Sequence, residues 1–177
     1  MLGLNNMAVL TWQSLELISV HQNREGTLEF DFDSIRDYVF RLSYSLTLDY
    51  SLAEDLAQDC LIKVWQHQHR LKELESAEAW IAKVVTNKAR NYWKRRPKWL
   101  ALSNNIKAPG EQDPVMIELK GMIADLKGEL RDVMLLIAVS GFTYTEAARI
   151  LEIPEGTVAS RFSTAKKQLQ FQMGDHS

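Results

Sequence analysis

Cysteine is almost missing from this chain of 177 residues: Cys60 stands alone, which excludes an internal disulfide and leaves no basis for a thiolate metal cluster. Proline and glycine are also scarce, at four and eight. Long segments therefore run uninterrupted, with apolar residues at helical spacing and no sustained alternation of period two. No apolar run approaches the roughly 20 residues that cross a bilayer; one of the longest, VMLLIAV, covers only 133 to 139. The N-terminus has no side-chain cation before His21 and Arg24 and carries Glu16, so it lacks the basic start of a secretory signal. These absences predict an all-α, soluble, cytoplasmic protein.

What is present is uneven. Net charge is only -2, yet KVVTNKARNYWKRRPK, residues 83 to 98, holds seven of the 21 basic residues and no acid. Residues 25 to 59 show the opposite bias, with nine acids against two arginines. Proline density rises in RPKWLALSNNIKAPGEQDPV, 96 to 115, which reads as a linker. The chain then divides into a loosely ordered tail over 1–26, a helical domain over 27–96, a flexible linker over 97–115 and a second helical domain over 116–173. Its linker of roughly 18 residues could extend about 60 Å, allowing the domains to sit far apart.

Within the first domain the pattern predicts helices over about 32–48, 51–71 and 76–95. Ser51 and Glu54 have capping-box spacing for the second, and the third stops before Pro97. Along the second helix, Asp55, Gln58, Asp59, Ile62 and Trp65 share one side. Acids in a first turn meet the helix dipole favourably without any function. That does not account for Asp59 beside an exposed apolar side chain, and a mixed acidic and apolar strip suits docking to a basic protein partner. On the third helix Lys83, Asn87, Arg90, Asn91 and Lys94 recur at steps of three and four. Like charges at that spacing repel by a few tenths of a kcal/mol per pair, so the helix gains nothing from them. A polyanion would. Tyr92, Trp93 and Trp99 are candidates for stacking on unpaired bases, and a merely solvated basic face is the alternative.

The second domain reads as four helices. Thr143 and Glu146 form a capping box, the helix behind them ends near Leu151, and Pro154 suits the first position of the next. Two helices joined so tightly cross closely, with Ala147, Ala148 and Gly156 near the crossing. This is helix-turn-helix spacing, whose second helix offers Ser160, Arg161, Ser163, Thr164, Lys166 and Lys167 to a partner. An ordinary helical hairpin with a solvated face would share the pattern.

SLAEDLAQDCLIKVW, AWIAKVVTNKARNYWKRR and ELRDVMLLIAVSGFTYTEAARILEIPEGTVASRFSTAKKQL, in this order, resemble the extracytoplasmic-function (ECF) group of bacterial sigma factors over about residues 30 to 171. The resemblance implies that the domains are sigma regions 2 and 4. It gives Asp55, Gln58, Asp59, Leu61, Ile62 and Trp65 to docking on core RNA polymerase. It gives residues 70–77 to a base-capturing loop at the promoter's -10 element, and Lys83, Asn87, Arg90, Asn91, Trp93, Lys94 and Arg95 to the melted non-template strand. Region 4 would read the duplex -35 element through the residues of its second helix. Ala159 and Thr164 stand where many relatives carry basic residues, so recognition should lean on the -10 element. An anti-sigma factor is an expected partner, and no cofactor, metal or catalytic residue is implied. A stand-alone helix-turn-helix regulator is the alternative. A metal-dependent nuclease built on Glu54, Asp55 and Asp59 is disfavoured, because His67 and His69 point roughly 200° apart on a helix.

Overall fold

The computed structural model of the chain describes residues 20–22, 28–30, 32–71, 77–95 and 114–174. The base-capturing loop, apart from its ends, Trp99 and most of the linker lie outside these residues, as does most of the N-terminal tail. Two short strands, β1 (Val20–Gln22) and β2 (Leu28–Phe30), pair antiparallel with Val20 opposite Phe30. This one short ribbon is an addition to an all-α architecture. Three-residue strands are too short to set up an alternating pattern, and all remaining described elements are helical.

The N-terminal helical module contains α1 (Phe32–Thr47), α2 (Tyr50–Gln66), the single turn α3 (Gln68–Leu71) and α4 (Ala77–Arg95). Ile35, Val39, Leu42 and Leu46 form the buried stripe of α1, which packs against α2 and α4. It shares a core with Leu56, Ala57, Cys60 and Val64 of α2 and Ile81, Ala82, Val85 and Ala89 of α4. Burial pushes the Cys60 thiol up to about 11, leaving it a packing residue at neutral pH. Between α1 and α2 the chain reverses within two residues. Leu48 adopts the left-handed conformation (φ 55°) and is itself buried. The left-handed backbone costs ~1 to 2 kcal/mol, which burial of a leucine side chain, at roughly 1.5 to 3 kcal/mol, offsets. Asp49 then caps α2 by accepting from Leu52 N at 3.1 Å. The helix thus begins before the predicted Ser51, since a carboxylate two residues earlier reaches the free backbone amide first. It also stops earlier than predicted, breaking at His67 before α3.

The C-terminal module contains α5 (Pro114–Asp125), α6 (Gly128–Met134), α7 (Tyr144–Leu151) and α8 (Glu155–Gly174). α6 runs on into a π turn over Leu135–Val139, where Ser140 N donates to Leu135 O at 2.8 Å. It closes at Gly141, whose φ of +76° suits glycine, with Phe142 N bonded back to Leu136 O at 3.0 Å. The capping box on α7 is present as predicted, with Thr143 N donating to Glu146 Oε2 at 2.7 Å. Glu152, left-handed at φ 56°, ends α7. Pro154 sits one residue earlier than predicted: its carbonyl accepts from Val158 N at 3.1 Å, so it precedes the first helical residue. Gly156 is exposed, with open space where a Cβ would stand, so the helix crossing does not require it. Thr145 Oγ1 donating to Glu155 Oε2 at 2.8 Å fastens α7 to α8 across the turn.

The two modules pack together. One continuous apolar cluster runs from the α1, α2 and α4 core into Leu136 and Val139 of the π turn and Ala147 and Ile150 of α7. A smaller cluster, Leu126, Leu130, Met134, Ala165 and Leu169, joins α6 to α8.

Candidate nucleic-acid and polymerase interfaces

α2 buries one side and exposes the other. Ala53, Leu56, Ala57, Cys60 and Val64 are buried, whereas Asp55, Gln58, Asp59, Ile62 and Trp65 are exposed and Leu61 is half-buried. Ile62 and Trp65 are each 58% accessible, a fraction that a stability argument alone would not select for two large apolar side chains. Trp65 is steadied by an edge contact with Phe32, ring centroids 5.2 Å apart. Asp59 holds Lys88 of α4 at 2.6 Å, so the acidic strip and the basic helix are tied to each other. His67 Nδ1 donates to Lys63 O (2.9 Å), and the ring lies against Trp80. Among the described residues no group of three His, Cys, Asp or Glu is placed to hold a metal.

α4 holds the residues predicted for the melted strand in three different settings. Asn87, Asn91, Lys94 and Arg95 are exposed. Lys83 and Arg90 are engaged by the C-terminal module: Lys83 Nζ lies 2.6 Å from Glu152 Oε1, and Arg90 Nε 2.5 Å from Asp132 Oδ2. Trp93 is committed to structure. Its indole N–H donates to Leu46 O at 2.9 Å, and the Arg131 guanidinium lies 4.5 Å from its ring centroid. The expectation that Trp93 presents a free stacking surface is therefore corrected for this arrangement. The indole N–H satisfies a carbonyl in the last turn of α1, which neither periodicity nor composition shows.

Arg131 was missed by the sequence reading and organises this corner. It is buried, donating to Ile123 O (3.1 Å), Ala124 O and Leu126 O (2.7 Å each), carbonyls at and just past the end of α5. Burial lowers its pKa, against the pull of Asp132 and Asp125. For Asp132 burial acts in the opposite direction, raising the carboxyl above its ordinary value, while Arg90, Arg131 and Lys94 draw it back. A cleft of about 860 Å³ opens beside this pair, with Lys94, Lys127 and Thr164 on its wall.

On α8, Ser160, Ser163, Thr164, Lys166 and Lys167 are exposed, while Arg161 is half-buried with its guanidinium 2.6 Å from Glu129 of α6. The hydroxyls of Ser160 and Thr164 donate to Thr157 O and Ser160 O on their own helix, which leaves their oxygens as acceptors. α7 and α8 are held by Val158, Ile150 and Leu151 in the buried cluster and by the Tyr144–Phe162 ring contact at 5.8 Å. That rigid pairing leaves the outward side of α8 available to a groove.

Comparison with known proteins accounts for this pair of modules. Residues 32–98 match the family model described as Sigma-70 region 2, and residues 116–169 match Sigma-70, region 4. The ECF RNA polymerase sigma factor SigM of Bacillus subtilis is 24% identical over 81% of this chain and 93% of its own length. SigC of Mycobacterium tuberculosis is 28% identical over 68% of this chain and 70% of its own. Among solved structures, the sigma factor RpoE from Bartonella quintana, crystallised with the anti-sigma factor NepR, superposes with a TM-score of 0.60 at 25% identity. That superposition covers 79% of this chain and 92% of RpoE. CnrH, solved with the cytosolic domain of CnrY, has the same fold, with a TM-score of 0.61 at 19% identity over 80% and 83% of the two chains. With both of its modules matched, in order, to regions 2 and 4, the chain belongs to the ECF group of sigma factors.

Proposed function

We propose that this sigma factor divides its work between faces that the fold keeps apart. α2 docks on core RNA polymerase through Asp55, Gln58, Asp59, Leu61, Ile62 and Trp65. α4 holds the melted non-template strand of the -10 element through Lys83, Asn87, Arg90, Asn91, Lys94 and Arg95. α8 meets the -35 duplex through Arg161, Lys166 and Lys167, with Ser160, Ser163 and Thr164 beside them. The observation that carries the reading is the exposed Ile62 and Trp65 pair set among carboxylates on a helix whose other side is buried. A solvated face has no use for two large apolar side chains, whereas a protein interface uses them as anchors. Opening duplex DNA costs a few kcal/mol that captured bases and neutralised phosphates must offset, which suits a helix carrying cations without acids of its own beyond Glu78 in its first turn.

RpoE was solved with an anti-sigma factor and CnrH with the cytosolic domain of CnrY, and the first of these supports an anti-sigma factor as a partner here. No helix among the described residues is long and apolar enough to cross a membrane. The test is capture of core polymerase by the purified chain. Ile62→Ala with Trp65→Ala should weaken capture by at least about 30-fold, the effect of losing about 2 kcal/mol of anchor contacts. Capture at wild-type strength by a folded double variant removes the docking assignment. A stand-alone regulator would not bind core polymerase at all.

A further inference from the structure

We propose that the strand-binding face of α4 already has an occupant within the chain: Asp132 and Glu152 of the C-terminal module take Arg90 and Lys83, and DNA must displace them. The inference rests on the reading of α4 as the strand-binding helix and goes beyond it. The two carboxylates lie 42 and 69 residues downstream of the cations they hold, at 2.5 and 2.6 Å. They stand where phosphate oxygens would stand, since a carboxylate and a phosphate offer a guanidinium or an ammonium the same kind of charged acceptor.

Three further contacts make this closure a built interface. Trp93 is clasped between Leu46 O and the Arg131 guanidinium, which removes its ring from stacking on a base. Ser45 of α1 and Ser140 at the end of the π turn meet at 2.7 Å in a buried hydrogen bond across the modules. The π turn, with its wider backbone ring, ends on that serine. Beneath these polar contacts runs the continuous apolar cluster that joins the modules. The apolar contact supplies most of the attraction, and the ion pairs decide which face is covered, because a partly buried pair returns little net stability after desolvation. Free protein is thereby held with its melting face neutralised. Polymerase or a competing polyanion gains access only when the modules part.

The Ser45–Ser140 contact supplies the test. Oγ atoms 2.7 Å apart are near the roughly 2.05 Å of an S–S bond. Ser45→Cys with Ser140→Cys in the full-length chain should therefore crosslink under mild oxidant, with Cys60 buried and slow to react. Binding is read by fluorescence anisotropy with a labelled single-stranded 20-mer of random sequence. The crosslinked form should bind at least ~10-fold more weakly than the same protein after reduction. Asp132→Asn with Glu152→Gln in the otherwise native chain should tighten strand binding several-fold. The change should exceed that produced by the charge-matched pair Glu54→Gln with Glu118→Gln, two exposed acids outside the contact. Equal binding by crosslinked and reduced protein overturns the inference, as does failure to crosslink while the folded double-cysteine chain remains intact. If the crosslink forms but neither form binds any strand, the DNA reading of α4 has failed and the inference falls with it; the crosslink distinguishes that failure from an absence of closure.

Discussion

The two basic helices differ in what holds their cations. On α4, three of the cations are in ion pairs, Lys83 with Glu152, Lys88 with Asp59 and Arg90 with Asp132, two of them reaching into the other module. On α8, Arg161 pairs with Glu129, whereas Lys166 and Lys167 are exposed. The dense cluster on α4 thus has intramolecular anions to balance it and the sparse one on α8 is mostly open. Charge density alone is therefore a poor guide to which DNA-facing surface is available in the free protein. In this fold the crowded basic helix draws counter-charges from α2 and from the second module.

The sharpest way to break the comparison is at the promoter. α4 carries Arg90, Lys83 and Lys94 together, and α8 has Ala159 and Thr164 where cations would add contacts. Scrambling the -10 element should therefore abolish run-off transcription, a loss of about 100-fold or more, while scrambling the -35 element should lower it by roughly tenfold. Each lost base pair contact costs on the order of 1 to 3 kcal/mol, and on the proposed reading α8 has few side chains to make them. Equal collapse in the two cases contradicts the asymmetry.

A smaller effect tests the corner where the helices meet. Arg131→Lys keeps the charge but cannot span the three carbonyls at and just past the end of α5 or lie flat over Trp93. It should destabilise the chain by about 1 to 3 kcal/mol, read as a fall of several degrees in Tm, and a Tm within error of wild type removes Arg131 from this role. Smaller again, Thr143→Ala removes one half of the α7 capping box and should cost roughly 1 kcal/mol, with duplex and strand binding otherwise intact when measured below Tm.

Legibility in the sequence followed the range of the interaction. Thr143 and Glu146 lie three residues apart and announced their cap; the stripe Ile35, Val39, Leu42, Leu46 announced the buried side of α1. Asp49 was misjudged because Ser51 competes for the same duty and only the reversal at Leu48 decides between them. The exposed strip on α2 was legible since solvation and charge alternate along one helix. Closure was not, because it depends on single charges 42 residues apart and on an indole N–H finding the end of another helix 47 residues away. Nothing local marks Asp132 or Arg131 as different from other charges on a helical module.

The direct test of the account is permanganate footprinting of promoter melting by holoenzyme carrying Arg90→Glu with Lys94→Glu. The account predicts that the variant still binds core polymerase through α2 but leaves the -10 thymines unreactive, with open complex reduced by about 100-fold or more, as expected when two strand contacts become repulsive. Reactivity equal to wild type, in a variant that binds core polymerase normally, would contradict the assignment of α4 to the melted strand.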